Sequence, residues 1–216
     1  MTAAQIIETC SVAIVAIGVL LVATRSIARS IWLLAAQGAL VGLAAIGVGL
    51  TEGVDHLVVG GSLALIAKAV VVPAVLFAML RTTPVRVERH PYLGPRAGLA
   101  VAVLIVFVAQ AAVSGVSLPV EAAGERALPA AIAEVLTGLL LVMTRRKAVS
   151  LLIGLFVFEN GLAIVAFALT FGMPLVVEMG ILFDLLIAVG VGWITTRRMI
   201  AVTGTASTDE LRRLRG

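Results

Sequence analysis

Charge is scarce in this chain. Asp, Glu, Lys and Arg make up 13% of its 216 residues, about half the roughly 25% of ordinary globular domains. A soluble domain of this length has too much surface to leave so little of it charged. The shortage excludes an ordinary cytosolic enzyme, a nucleic-acid-binding module and a disordered tail. Cysteine is nearly missing too. Cys10 stands alone, so no internal disulfide can form, and only His56 and His90 accompany it. Haem, iron–sulfur and zinc sites therefore lack their ligands. No nucleophile–base pair and no HExxH-like motif is present. What the chain has in abundance is apolar residues, 61% of the total against roughly 45–50% in ordinary proteins. This is the composition of an integral membrane protein.

Crossing a bilayer as a helix takes about 20 apolar residues. Seven stretches qualify, at 4–24, 30–50, 57–80, 97–117, 127–144, 148–170 and 174–196. Long continuous apolar runs argue against a porin-like barrel, whose strands alternate. The fold expected is all-α, with about seven transmembrane helices. The opening MTAAQIIE carries an acid and no Lys or Arg, so the first stretch is expected to stay in the mature protein as a span.

The net charge is +4 and the pI near 10.2, but the basic residues cap spans instead of forming a groove-reading patch. Arg25 and Arg29 follow the first span, and Arg81, Arg86, Arg89 and Arg96 the third. Arg145, Arg146 and Lys147 follow the fifth; Arg197, Arg198, Arg212, Arg213 and Arg215 follow the seventh. Fourteen of the 16 basic residues thus sit on alternate loops, with Arg126 alone opposite and Lys68 inside a span. The positive-inside rule then puts the N-terminus outside and the C-terminus in the cytoplasm, in the plasma membrane of a prokaryote. The run RVERHPYLGPR, with Glu88 and His90, reads as a solvated connector or a docking surface rather than a catalytic loop.

GVLLVATRSIARS at the end of the first span matches GLLLVMTRRKAVS at the end of the fifth, at an offset of 120 residues. Gly18, Leu21, Arg25 and Ser30 pair with Gly138, Leu141, Arg145 and Ser150. Each match opens a three-helix unit. The expected organisation is two parallel units joined by one extra helix: 1–80 the first, 81–126 a cytoplasmic loop and the linking helix, 127–200 the second, and 201–216 a cytoplasmic tail.

Six ionisable residues fall within the spans: Glu8, Lys68, Glu134, Glu159, Glu178 and Asp184. Each costs about 2.5–3.5 kcal/mol at a helix centre on insertion scales, so each needs a reason to be there. Glu8 lies one turn from the outer end of its span, where a carboxylate reaches headgroup water. Glu134 and Glu178 read equally as headgroup carboxylates or as outer-side relays. Lys68, Glu159 and Asp184 lie near the middle of spans three, six and seven. Three such groups at one depth point to a polar layer along which protons can be handed, or else to a static Lys–carboxylate pair that glues helices. Pro73, five residues after Lys68, removes an amide that would bond the carbonyl of Ala69. The third span is therefore expected to be kinked or hydrated beside its lysine. Asn160 adds a polar amide next to Glu159.

The motifs LIGLFVFENG, KAVVVP and VVEMGILFD, with the RG ending, resemble the hydrogenase-4 component E family, membrane subunits of group 4 [NiFe]-hydrogenase complexes such as formate hydrogenlyase. Residues 130–216 also resemble chain K of NADH-quinone oxidoreductase (complex I) and the small subunit of multisubunit cation/proton antiporters. Asp184 falls where the third-helix glutamate of chain K would be. Glu159 lies one helical turn beyond its second-helix glutamate, whose position is Phe156 here. Gln37 and Lys68 lie in the region of those acids in the first unit. The resemblance implies a subunit with no cofactor of its own, packed among antiporter-like membrane subunits beneath a peripheral hydrogenase or dehydrogenase arm that carries NiFe and iron–sulfur centres. Its Lys68, Glu159 and Asp184, with Glu178 and Glu134 toward the outer side, would join a path for protons or sodium. An independent small ion transporter and a purely structural scaffold are the alternatives.

Overall fold

In the computed structural model the described residues are 2–82, 87–88, 92–114, 127–170, 190, 192–194 and 197–198. They form helices α1 (Ala3–Ala23), α2 (Ile27–Glu52), α3 (Asp55–Ile66), α4 (Val72–Thr82), α5 (Pro95–Val113), α6 (Leu128–Thr144) and α7 (Ala148–Thr170). A five-residue π-helical turn, Ala67–Val71, joins α3 to α4 as one continuous rod. Five of the helical rods are long and apolar enough to cross a membrane, and α6 is a shorter apolar helix of 17 residues, about 25 Å long. The first six expected spans are therefore helices with nearly the expected ends. The seventh falls mainly outside the described residues, although Gly190 and residues 192–194 within it are helical. Large apolar side chains such as Val12, Leu50, Leu104 and Phe107 stand more than half exposed on the outside of the bundle. Such a surface suits a hydrocarbon solvent.

Local chemistry sets the helix ends. Thr2 and Gln5 form a reciprocal capping box at the start of α1, which satisfies two amides that no helical carbonyl can reach. Gly53 ends α2 with a φ of 68°, the left-handed conformation that a side chain resists. Val54 then bonds back to the Gly49 carbonyl, so the chain reverses into α3 within a few residues. Helices pack closely where glycine removes a side chain from the contact. A Cβ on Gly42 would meet the backbone of Leu65 at 2.8 Å, and one on Gly138 would run into the backbone of Phe158.

At the arginine-rich end, three connecting segments lock together. The Arg145 guanidinium is buried and donates through Nη2 to the carbonyls of Leu21, Val22 and Thr24 at 2.9–3.0 Å. Leu21 and Val22 belong to the last turn of α1 and Thr24 follows it; helix-end carbonyls are short of partners, although Leu21 also accepts from the Thr24 amide, and a cation suits the dipole there. Burial pulls the Arg145 guanidinium below its ordinary value; the nearby Glu88 carboxylate opposes this, and Arg25 adds to it.

Glu88 is the main departure here from the sequence reading. The segment was expected to be a solvated connector or a docking surface, yet Glu88 is 1% exposed. Its two carboxylate oxygens accept from the Arg146 amide at 3.0 Å and the Ser150 hydroxyl at 2.7 Å. The Glu88 amide bonds the Arg25 carbonyl, and the Tyr92 amide bonds the Thr144 carbonyl. The positive start of α7 attracts the carboxylate inward, a tertiary effect that a polar sequence run does not reveal. His90 lies outside the described residues.

Candidate functional site

The buried apolar side chains divide into two main clusters, one toward each end of the bundle. The cluster at the arginine-rich end includes Leu21, Ile31, Leu34, Leu76, Met79 and Phe156. The cluster toward the other end includes Ile7, Ile14, Val41, Val48, Leu57 and Ile164. Between them in sequence on every helix concerned come the buried polar groups. Gln37 separates Leu34 from Val41, Lys68 separates Leu57 from Val72, and Glu159 and Asn160 separate Val157 from Ile164. Glu134 likewise falls between Ala131 and Leu141. The polar side chains therefore occupy one layer across the bundle.

Lys68 and Glu159 are brought together within that layer. Lys68 Nζ lies 2.6 Å from Glu159 Oε1 and donates a second bond to Asn160 Oδ1 at 3.2 Å. The two side chains are 7% and 13% exposed. An ammonium so placed needs acceptors, because an unpaired buried charge costs several kcal/mol or more. Asn160 supplies the second acceptor. Glu159 Oε2 is buried and has no hydrogen-bond partner among the described residues, which leaves this carboxylate able to accept a further donor.

The π turn belongs to this arrangement. Pro73 has no amide, and in a regular helix its ring would clash with the carbonyl of Ala69. One extra residue in the turn relieves the clash: the Val72 amide bonds the Ala67 carbonyl five residues back. The expected disturbance beside the lysine is thus a π turn that contains Lys68 itself, and such bulges are frequent at functional sites. Gly38 of α2 lies against the turn. A Cβ there would stand 2.6 Å from Lys68 Cβ and 3.0 Å from its carbonyl carbon. Gly38→Ala is therefore expected to push α2 off the turn and to cost about 1–3 kcal/mol, the usual penalty of overpacking. Thermal denaturation of the protein in detergent reads this loss.

Glu134 does not reach headgroup water. It is 0% exposed and its Oε1 accepts a 2.5 Å bond from Gln37 Nε2, which also donates to the Ile14 carbonyl at 2.8 Å. Gln37, also 0% exposed, is the functional side chain that sequence reasoning passed over as a partner. An amide in an apolar helix was the available signal, but its partner lies 97 residues away. Glu8 is partly exposed near the start of α1. Glu178 and Asp184 lie outside the described residues.

A bundle of apolar helices with charged and amide side chains between two apolar clusters defines a multi-pass membrane protein with a buried polar layer. The chain is a homologue of hydrogenase-4 component E. It is 29% identical to hydrogenase-4 component E of Escherichia coli over 162 residues, 75% of each chain, and the Shigella flexneri protein matches to the same extent. An uncharacterized protein of Mycobacterium tuberculosis is 33% identical over 198 residues, 91% of this chain and 90% of its own length. No family model and no solved structure matches the chain.

Proposed function

We propose that this chain is a membrane-arm subunit of a hydrogenase-type, complex I-like complex, in which its polar layer forms part of a path for protons or sodium coupled to redox chemistry. The observation that carries this reading is the Lys68–Glu159 pair at 2.6 Å, with Asn160 as a second acceptor, held between two apolar clusters. Intramembrane ion pairs of this kind are costly and mark ion or proton pathways. Homology to hydrogenase-4 component E supports the membership. In this reading Lys68 and Glu159 exchange charge, Glu134 is a further group of the same layer, Asp184 extends it, and Glu178 lies toward the outer side. The chain holds no redox group, and its partners are antiporter-like membrane subunits and a peripheral arm bearing NiFe and iron–sulfur centres. The arginine-rich end faces the cytoplasm.

The two-unit organisation forms part of the same proposal. Three of the matched pairs, Leu21 and Leu141, Arg25 and Arg145, Ser30 and Ser150, line one small cavity together. It has room for about one water. Residues 130–216 correspond in this proposal to chain K of complex I.

A gentle detergent pull-down of the chain from native membranes tests the membership. Co-purification of large antiporter-like subunits with a nickel- or iron–sulfur-binding arm is the expected result. Recovery of the chain alone or as a homo-oligomer overturns it in favour of an independent transporter.

A further inference from the structure

A second buried centre, apart from the ion pair, has a hydrogen-bond imbalance. Both oxygens of the Gln37–Glu134 pair that remain after the 2.5 Å bond, Gln37 Oε1 and Glu134 Oε2, are buried and have no partner among the described residues. Both N–H directions of the Gln37 amide are already used, one toward Glu134 and one toward the Ile14 carbonyl. The pair therefore has acceptors left over and no donor. No cation of the described residues pairs with Glu134, since Lys68 is engaged by Glu159 and Asn160.

Among the described residues the walls of this centre are uncharged. Gly18 of α1 lies directly against the carboxyl, so that a Cβ there would run into its oxygens. Gly161 of α7 backs onto the Glu134 main chain, and Ala133, next to Glu134 in sequence, joins Val15 and Ala109 in a small apolar cluster. The titratable residues of the helices around it are Glu8 and Cys10 on α1, Arg29 and Glu52 on α2, Arg96 on α5 and Glu159 on α7. Glu159 is held by Lys68; Glu8, Arg29, Glu52 and Arg96 lie toward helix ends, and Cys10, one turn before Ile14 on α1, is a thiol that offers no positive charge.

We propose that Glu134 is a proton-holding site: it stands in the resting protein as a neutral carboxylic acid, with the Gln37 amide as its hydrogen-bond partner. One proton on Oε2 removes an uncompensated charge from the interior and supplies the missing donor. An isolated buried carboxylate takes this course in preference to ionising. A proton also adds no volume, whereas a metal ion would need the space that Gly18 and the carboxyl already fill. The layer thus contains two carboxyls in opposite states, Glu159 ionised beside its lysine and Glu134 loaded. The assignment deepens the proton-path reading, but it concerns a protonation state that can be observed without turnover.

Infrared difference spectra of native membranes enriched in the full chain provide the test. Subtracting Glu134→Gln from wild type at neutral pH is expected to reveal a protonated-carboxyl C=O band that shifts in heavy water. The same band is expected to persist in Glu159→Gln and to move to higher frequency in Gln37→Leu, where its hydrogen bond is gone. The last variant gives an independent readout if Glu134→Gln fails to accumulate. Carboxylate stretches in place of that band overturn the assignment, as does displacement of the band by sodium chloride at constant pH, which would make the pair a metal-cation site. If the band is present but proton movement is normal in Glu134→Gln, the assignment stands and the place of Glu134 in the path falls.

Discussion

Glu159→Gln is expected to lower proton movement coupled to redox turnover about a hundredfold, the smaller end of what a positioned proton-transfer group contributes. The change keeps the size of the side chain and removes its charge. Among the described residues Lys68 then retains only neutral acceptors, Asn160 Oδ1 at 3.2 Å among them. Leaving one partner of a buried pair costs about 3–5 kcal/mol while the lysine stays charged, and release of its proton reduces that cost. Lys68→Met leaves the opposite orphan, a buried carboxylate. The double variant Glu159→Gln, Lys68→Met leaves neither, so its stability is expected to return toward wild type while coupled proton movement stays lost. Thermal denaturation in detergent and proton uptake by inverted vesicles read the two quantities separately. A scaffold role gives a different pattern, in which the double variant recovers both stability and coupling.

Arg145→Ala is expected to have the largest effect on stability outside the polar layer, about 3 kcal/mol or more. One buried guanidinium serves three carbonyls at the end of α1, and each buried acceptor left unsatisfied costs about 1–3 kcal/mol. The matched residue Arg25 is exposed, so Arg25→Ala is expected to fall within about 0.5 kcal/mol of wild type, as surface changes usually do. Comparing the melting of the two variants tests the claim that identical residues in the matched loops do unlike work. Equal losses would refute it.

The same contrast shows how far the sequence could be read. Six of the expected spans correspond to helices with nearly the expected ends, because a bilayer demands about 20 apolar residues in a row and helical backbone inside it. Periodicity is not needed for that inference, and a count of apolar residues suffices. Lys68, Glu134 and Glu159 stood out for the same reason, as charges where charge is expensive. Pro73 likewise announced a disturbance, since the missing amide and the ring clash are local facts.

Pairing was another matter. Lys68 meets Glu159 across 91 residues, Gln37 meets Glu134 across 97, and Arg145 meets Leu21 across 124. Each pair depends on which helix faces are adjacent, and that is decided by close contacts such as Gly38 against Lys68 and Gly18 against Glu134. Glu88 shows the limit most clearly: in sequence it belongs to a polar run, and in the fold it is almost wholly buried, accepting from the segment that leads into α7 and from the Ser150 hydroxyl. Composition by itself determined that this chain is a helical membrane protein with charges set inside it, because solvent transfer acts residue by residue. Only the tertiary structure decided which of those charges is paired, which has no counterion among the described residues, and which loop residue is buried, because hydrogen bonds and ion pairs require two groups to arrive at one place.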